Sequence, residues 1–137
     1  MRRLICPVLM VACIVGCKSV SAKPKPSAKP APALLERTDA KELLFKLPEV
    51  AAWQAGVRRH SRGKVTPVCR VEQTPDESRA AGDGAAWHFY LGESHASHNV
   101  CWRRFRIDAA NGDIHIQDPV DGAYITLMEW RRGYRDL

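Results

Sequence analysis

Residues 85–117 read AAWHFYLGESHASHNVCWRRFRIDAANGDIHIQ. From Ala85 to Gly92 apolar and polar side chains alternate, the period of a strand with one buried face. Trp87, Phe89 and Leu91 fall on the inner side, His88 and Tyr90 on the outer. Glu93 to Asn99 is polar and reads as a loop. Val100 to Asp108 alternates again. It places Cys101, Phe105 and Ile107 inward, with Arg103 an exception, and Trp102, Arg104 and Arg106 outward. Asn111-Gly112 is a strong hairpin signal, because a tight hairpin turn needs residues that tolerate positive φ. Ile114 and Ile116 then face in, His115 and Gln117 out. Strands joined by such short connections pair antiparallel.

Upstream, Lys64 to Gln73 adds a strand with Val65, Cys69 and Val71 on one side. Thr74 to Gly84 (TPDESRAAGDG) is polar and Gly-rich, hence a loop. Asp39 opens a helix, with Glu42 completing a capping box. Leu43, Leu44 and Leu47 give it an apolar face. Pro48 interrupts, and suits the first turn of a second helix. Val50, Trp53 and Val57 continue at helical spacing. Arg58, Arg59 and His60 sit in the last turn, where cations suit the helix dipole, and Gly63 stops it. Residues 39–61 are therefore one kinked helix or two abutting ones. Downstream, Thr126 and Glu129 form another capping box, opening a short helix from Leu127 to about Tyr134. The predicted fold is α+β: a kinked N-terminal helix on a four-stranded antiparallel sheet, with a short C-terminal helix, over residues 36–137.

The N-terminus carries a different signal. Arg2 and Arg3 precede an apolar run from Leu4 to Gly16, broken by Pro7. The run is too short for a membrane span, which takes roughly 20 residues. A charged start, a short apolar core and a small residue before the cut describe an export signal over residues 1–16. Its end, Ile14-Val15-Gly16-Cys17, resembles the bacterial lipobox. That resemblance implies a lipid on Cys17, cleavage before it, and a membrane anchor whose acyl chains contribute roughly 0.8 kcal/mol per buried CH₂. Lys18 after the Cys, where Asp favours inner-membrane retention in enterobacteria, points to the outer membrane facing the periplasm. Lys18 to Pro32 (KSVSAKPKPSAKPAP) holds four Lys and four Pro. Too little apolar surface exists there to offset ordering entropy, so residues 17–35 read as a disordered, extended tether.

Charge and cysteine sort along the same boundary. The formal net charge is +6. Two arginines lie in the signal and four lysines in the tether, leaving 15 basic against 15 acidic residues from Ala33 on. A formally neutral domain has no electrostatic footprint for a duplex, so nucleic acid is excluded as a partner. Of five cysteines, Cys6 and Cys13 fall in the signal, and Cys17 is the one the lipobox resemblance assigns to lipid. Cys69 and Cys101 remain as a candidate disulfide in an oxidising compartment. A bridge between them would stabilise by about 3–4 kcal/mol in the chain-entropy model. A simple meander opposes it: next-nearest strands lie about 9–10 Å apart, beyond the roughly 7 Å that a bridge tolerates between Cα atoms. Either the first strand pairs with the third, or the cysteines sit at bent strand ends, or there is no bridge.

Phe105-Arg-Ile-Asp-Ala-Ala-Asn-Gly-Asp-Ile114 resembles the "VDxxTGxI" hairpin of PepSY-type domains, matching it at Asp108, Gly112 and Ile114. Asn111 stands where Thr is usual and Ile107 replaces Val. The resemblance implies a PepSY- or cystatin-like layout and a small non-catalytic envelope module. Some such modules are proposed to restrain peptidases.

Three sets of residues are candidates for function. Glu93, His95 and His98 share one loop, and imidazole with carboxylate suits Zn²⁺ or Ni²⁺. His-x₂-His in a loop lacks the fixed geometry of a helical ligand pair, so a solvated hairpin loop is the competing reading. Ser94, His95 and Glu93 are sequence neighbours, whereas a catalytic triad converges from separate positions, and no nucleophile elbow is present. No catalytic residues are expected. His88, Tyr90, Trp102, Arg104, Arg106 and His115 should project from the outer sheet face, and Tyr, Trp and Arg are enriched at binding hot spots. The competing reading is cross-strand stacking partly covered by the C-terminal helix. The expected function is therefore a lipid-anchored binding module for an envelope protein, such as an inhibitor or immunity protein for a periplasmic hydrolase. The alternative is a metal sensor or carrier using Glu93, His95 and His98.

Overall fold

A computed structural model describes residues 33–134, without the side chain of Tyr134. The export signal, Cys17 and nearly all of the tether lie outside the described residues. No helix among those described is long and apolar enough to cross a membrane.

The chain folds as α1 (Arg37–Phe45), α2 (Pro48–Ser61), β1 (Thr66–Gln73), α3 (Pro75–Ala80), β2 (Ala86–Ser94), β3 (Asn99–Asp108), β4 (Ile114–Gln117), β5 (Tyr124–Thr126) and α4 (Leu127–Tyr134). The α+β class stands. Its five strands form an antiparallel meander in the order β1-β2-β3-β4-β5. The expected count was four; Tyr124-Ile125-Thr126 is too short to show a period, and pairing with β4 makes it a strand.

The N-terminal segment is two helices and not one kinked helix. Leu47 is extended (φ −67°, ψ 125°), as the residue before a proline prefers, and Pro48 then starts α2. The expected Asp39–Glu42 capping box is not formed. Glu36 is the N-cap, without a side-chain cap, and Asp39 lies inside the first turn, where its charge suits the dipole. Residues 74–84, expected as a loop, contain α3. Thr74 and Glu77 form a reciprocal capping box around Pro75 at the first turn, so six helical residues are stable against the sheet. At the other end the Thr126–Glu129 box opens α4.

Ala40, Leu44 and Val50 from α1 and α2 pack with Phe89, Leu91, Phe105, Ile107 and Ile116 of the sheet, and Trp130 of α4 joins them. α1, α2 and α4 thus share one sheet face. Arg131 donates to both oxygens of Glu49, at 2.6 and 3.2 Å, tying α4 to α2. Leu35, placed in the tether by the sequence reading, is part of this fold. Its N–H donates to Ala109 (2.7 Å), its carbonyl accepts from Trp87 Nε1 (2.9 Å), and its side chain packs on the core.

The β3–β4 turn follows the Asp-x-x-Asn-Gly pattern closely. Asp108 accepts from Ala110 N–H through its side chain and from Gly112 N–H through its carbonyl. Gly112 has φ +80°, and a Cβ there would lie 3.3 Å from Leu43 and 3.5 Å from Leu35. Both conformation and space therefore select glycine.

Candidate functional site

The sheet face opposite α1, α2 and α4 carries most of the sequence-predicted binding residues. A single irregularity decides which. Leu91 of β2 pairs with Arg103, but Gly92 pairs with Cys101, so Trp102 is an extra residue in β3. Such a bulge reverses inward–outward parity on one side of itself. Beyond it Cys101 lies on the open face. Trp102 turns the other way, packing on the core and stacking on Trp53 of α2 with ring centroids 4.6 Å apart and planes 3° apart. Its ring also meets Trp130 edge-on at 6.4 Å. Trp102 was expected to project outward; it belongs to the helix-covered side.

The same bulge settles the cysteines. Cys69 opposes Leu91 and packs against the core, whereas Cys101 opposes Gly92 and is exposed. They sit on opposite faces with β2 between their strands. Both are free thiols, so the expected Cys69–Cys101 disulfide is not formed. Burial pushes both thiols above the ordinary range.

The remaining face residues divide into covered and open halves. α3 and the loop after it lie over the end bearing His88. His88 is 6% exposed and Ser78 fully buried. Ser78 Oγ lies 3.2 Å from His88 Nε2, and Tyr124 Oη 3.1 Å from Nδ1. A neutral imidazole satisfies both hydroxyls by donating to one and accepting from the other. Burial, and then the Arg106 charge, hold His88 below its ordinary pKa. His88 therefore joins α3 to β5 and presents nothing to a partner. Arg106 donates to the Asp83 carbonyl in the same cover. His115 opposes Arg106 in register and is half-buried, its Nδ1 enclosed without a hydrogen-bond partner among the described residues.

The open half centres on Tyr90 and Arg104, which oppose each other across β2 and β3. The Arg104 guanidinium lies 5.8 Å from the Tyr90 ring centroid. Arg104 Nε donates to both oxygens of Glu72, at 3.0 and 3.1 Å. Arg70 opposes Tyr90 from β1. Tyr90 itself is braced by Gly92. A Cβ at Gly92 would lie 2.6 Å from Tyr90 Oη and 2.3 Å from the Val100 carbonyl, so the phenol ring occupies the space a side chain would fill. An aromatic and an arginine thus stand side by side on the sheet surface, Tyr90 half-buried and Arg104 partly exposed.

Glu93, His95 and His98 do meet at the β2–β3 hairpin tip, with Glu93 on the strand and residues 95–98 as the loop. His95 Nε2 lies 3.1 Å from Glu93 Oε2. The His95 and His98 rings stack, centroids 4.7 Å apart and planes 2° apart. His98 Nδ1 is paired with Ser97 Oγ at 3.1 Å. Parallel stacking does not direct two imidazoles at one point. Among the described residues no group of three or more His, Cys, Asp or Glu is placed to hold a metal ion.

Sequence reading missed Glu72 and Ser78 because strand pairing and α3 bring them to the face from a distance in the chain. A signal for the bulge was present: Arg103 in an inward register position marks a break in alternation. No family model matches the chain, and no curated protein or solved structure matches it.

Proposed function

We propose that this chain is a lipid-anchored, non-catalytic module of the bacterial cell envelope that binds a protein partner through the open half of its sheet. The observation that carries the reading is the Tyr90–Arg104–Glu72 cluster, joined by a ring contact and a two-oxygen hydrogen bond on a partly exposed sheet face. Such preorganised aromatic and arginine side chains lose little freedom on binding. The lipobox at Cys17 and the Pro- and Lys-rich tether support anchoring at the outer membrane facing the periplasm. The turn at Asp108, Gly112 and Ile114, following helices on one sheet face, supports a PepSY-like relationship. The Ser78–His88–Tyr124 chain reads as structural. It has the bond order of a nucleophile and a base, but its serine is sealed from solvent. An inhibitor or immunity protein acting on a periplasmic hydrolase is the concrete form of this function.

The test is quantitative capture of envelope proteins by the full lipidated chain and by a Tyr90→Ala/Arg104→Ala variant. A partner retained by the wild type and lost by a normally folded variant is expected. Identical partner lists would overturn the assignment to this face.

A further inference from the structure

We propose that the open edge of β1 accepts an acidic, extended segment of a partner protein as a sixth strand. The inference rests on the protein-binding reading above and names the chemistry of what is bound. Among the described residues β1 is the first strand of the sheet and has a strand neighbour, β2, on one side only. An edge strand presents backbone N–H and C=O groups that can pair with another chain. Two devices that blunt edges flank this one. Pro67 lies near its start, and the register shifts between Val71 and Gln73 near its end. Val68 to Val71, between them, pairs regularly with β2 and has no strand on its other side among the described residues.

Cations stand on both sides of that stretch. On the helix side a cavity of about 410 Å³ lies between α1 and β1, with Arg37, Thr38 and Lys41 on its rim and Cys69, Val71 and Phe89 as its floor. Arg37 and Lys41 are exposed and make no ion pair among the described residues. On the open side stands Arg70, whose Nη2 donates to the Asn99 side-chain oxygen at 3.5 Å. Glu72, the carboxylate two residues along β1 from Arg70, is already held by Arg104. An added strand sends alternate side chains to the two faces. One set would lie over the Val71 floor beneath Arg37 and Lys41, and the other beside Arg70 and Tyr90. Carboxylates in either set meet a cation.

Charge also selects against two other occupants. The chain's own Lys18–Pro32 segment, with four lysines and four prolines, has the wrong sign and lacks donors at its prolines. A second copy pairing edge to edge would bring its own Arg37, Lys41 and Arg70 against the same residues.

The experiment uses the full chain in non-ionic detergent and two labelled, end-blocked peptides, one alternating Glu and Val, the other Lys and Val. Fluorescence anisotropy measures affinity, and hydrogen exchange locates the contact. The Glu peptide should bind and the Lys peptide should not. An Arg37→Glu/Lys41→Glu variant, altered only on an exposed helix surface, should bind the Glu peptide about tenfold more weakly, the scale of lost rim ion pairs. Amide protection should appear at those alternate amides of Val68–Val71 that face away from β2. Equal binding of both peptides would overturn the proposal. So would protection of these amides in the absence of peptide, which would mark self-pairing, or their protection by phosphatidylglycerol vesicles alone, which would mark a membrane contact. Glu-peptide binding lost in Arg104→Ala but retained in the Arg37/Lys41 variant would overturn the edge and leave the sheet-face reading standing. Binding of neither peptide, with envelope partner capture intact, would do the same.

Discussion

The two faces of one sheet are built from the same strands and carry opposite chemistries. The helix-covered face holds Phe89, Leu91, Phe105, Ile107 and Ile116, sealed by α1, α2 and α4. Its aromatic contacts, Trp53 on Trp102 and Trp130 against Phe105, serve packing. The open face carries Arg70, Glu72, Tyr90 and Arg104; Arg104 pairs with Glu72 and lies over the Tyr90 ring, and Arg70 stands opposite Tyr90 in register. A third environment sits at one end of that open face, where α3 buries a polar chain of Ser78, His88 and Tyr124. Alternation alone separates the faces over most of their length. At Trp102 one extra residue overrides it, so a residue type typical of binding surfaces becomes part of the core.

The largest expected effect breaks that division directly. Trp102→Ala should destabilise the fold by about 3 kcal/mol, the scale of an aromatic lost from a packed site. Urea unfolding measures it. A change within about 0.5 kcal/mol, as for a surface residue, would put Trp102 back on the open side. Next is Gly92→Ala, where a new Cβ meets the Val100 carbonyl and the Tyr90 ring. Overpacking of this kind costs about 1–3 kcal/mol. Because backbone stands in the way, Tyr90→Ala should rescue it only in part.

The buried histidine gives a pH signature. His88 in the folded state binds its proton less readily than the ordinary value of 6.5. The unfolded chain therefore takes up more protons as the medium becomes acid, and stability rises with pH wherever that is so. Full stability is present above about 6.5 and is lost as pH falls below it toward the depressed folded value. His88→Gln should remove that share of the acid slope while keeping a hydrogen bond to Ser78 or Tyr124. An unchanged slope would show that His88 titrates freely.

The smallest effects compare ion pairs on the two sides. Arg104→Ala on the open face and Arg131→Ala, which frees Glu49, should each cost about 1 kcal/mol or less, since both pairs are partly exposed. Their difference should appear in binding: only Arg104→Ala should weaken partner capture.

Much of this fold is legible in the sequence, and the exceptions have physical causes. The β2, β3 and β4 alternation and the Asn111-Gly112 turn are local signals, and all four elements form where they point. Thr74-Pro75-Asp76-Glu77 also carries a complete helix-start signal, which the following Gly82 and Gly84 mask as loop composition. β5 has no period of its own and exists through pairing. The site was half-legible. Tyr90 and Arg104 follow from parity, but Glu72, the burial of His88 and the inward turn of Trp102 depend on contacts between distant segments.

The position of Cys101 reports the Trp102 bulge most directly. Intact mass before and after reduction, followed by timed alkylation of the native protein, measures it. A bulge that sends Cys101 to the open face and leaves Cys69 under α1 predicts no mass change on reduction and alkylation of Cys101 before Cys69. A mass lower by two hydrogens before reduction, with a peptide linking Cys69 to Cys101, would contradict that division of the sheet.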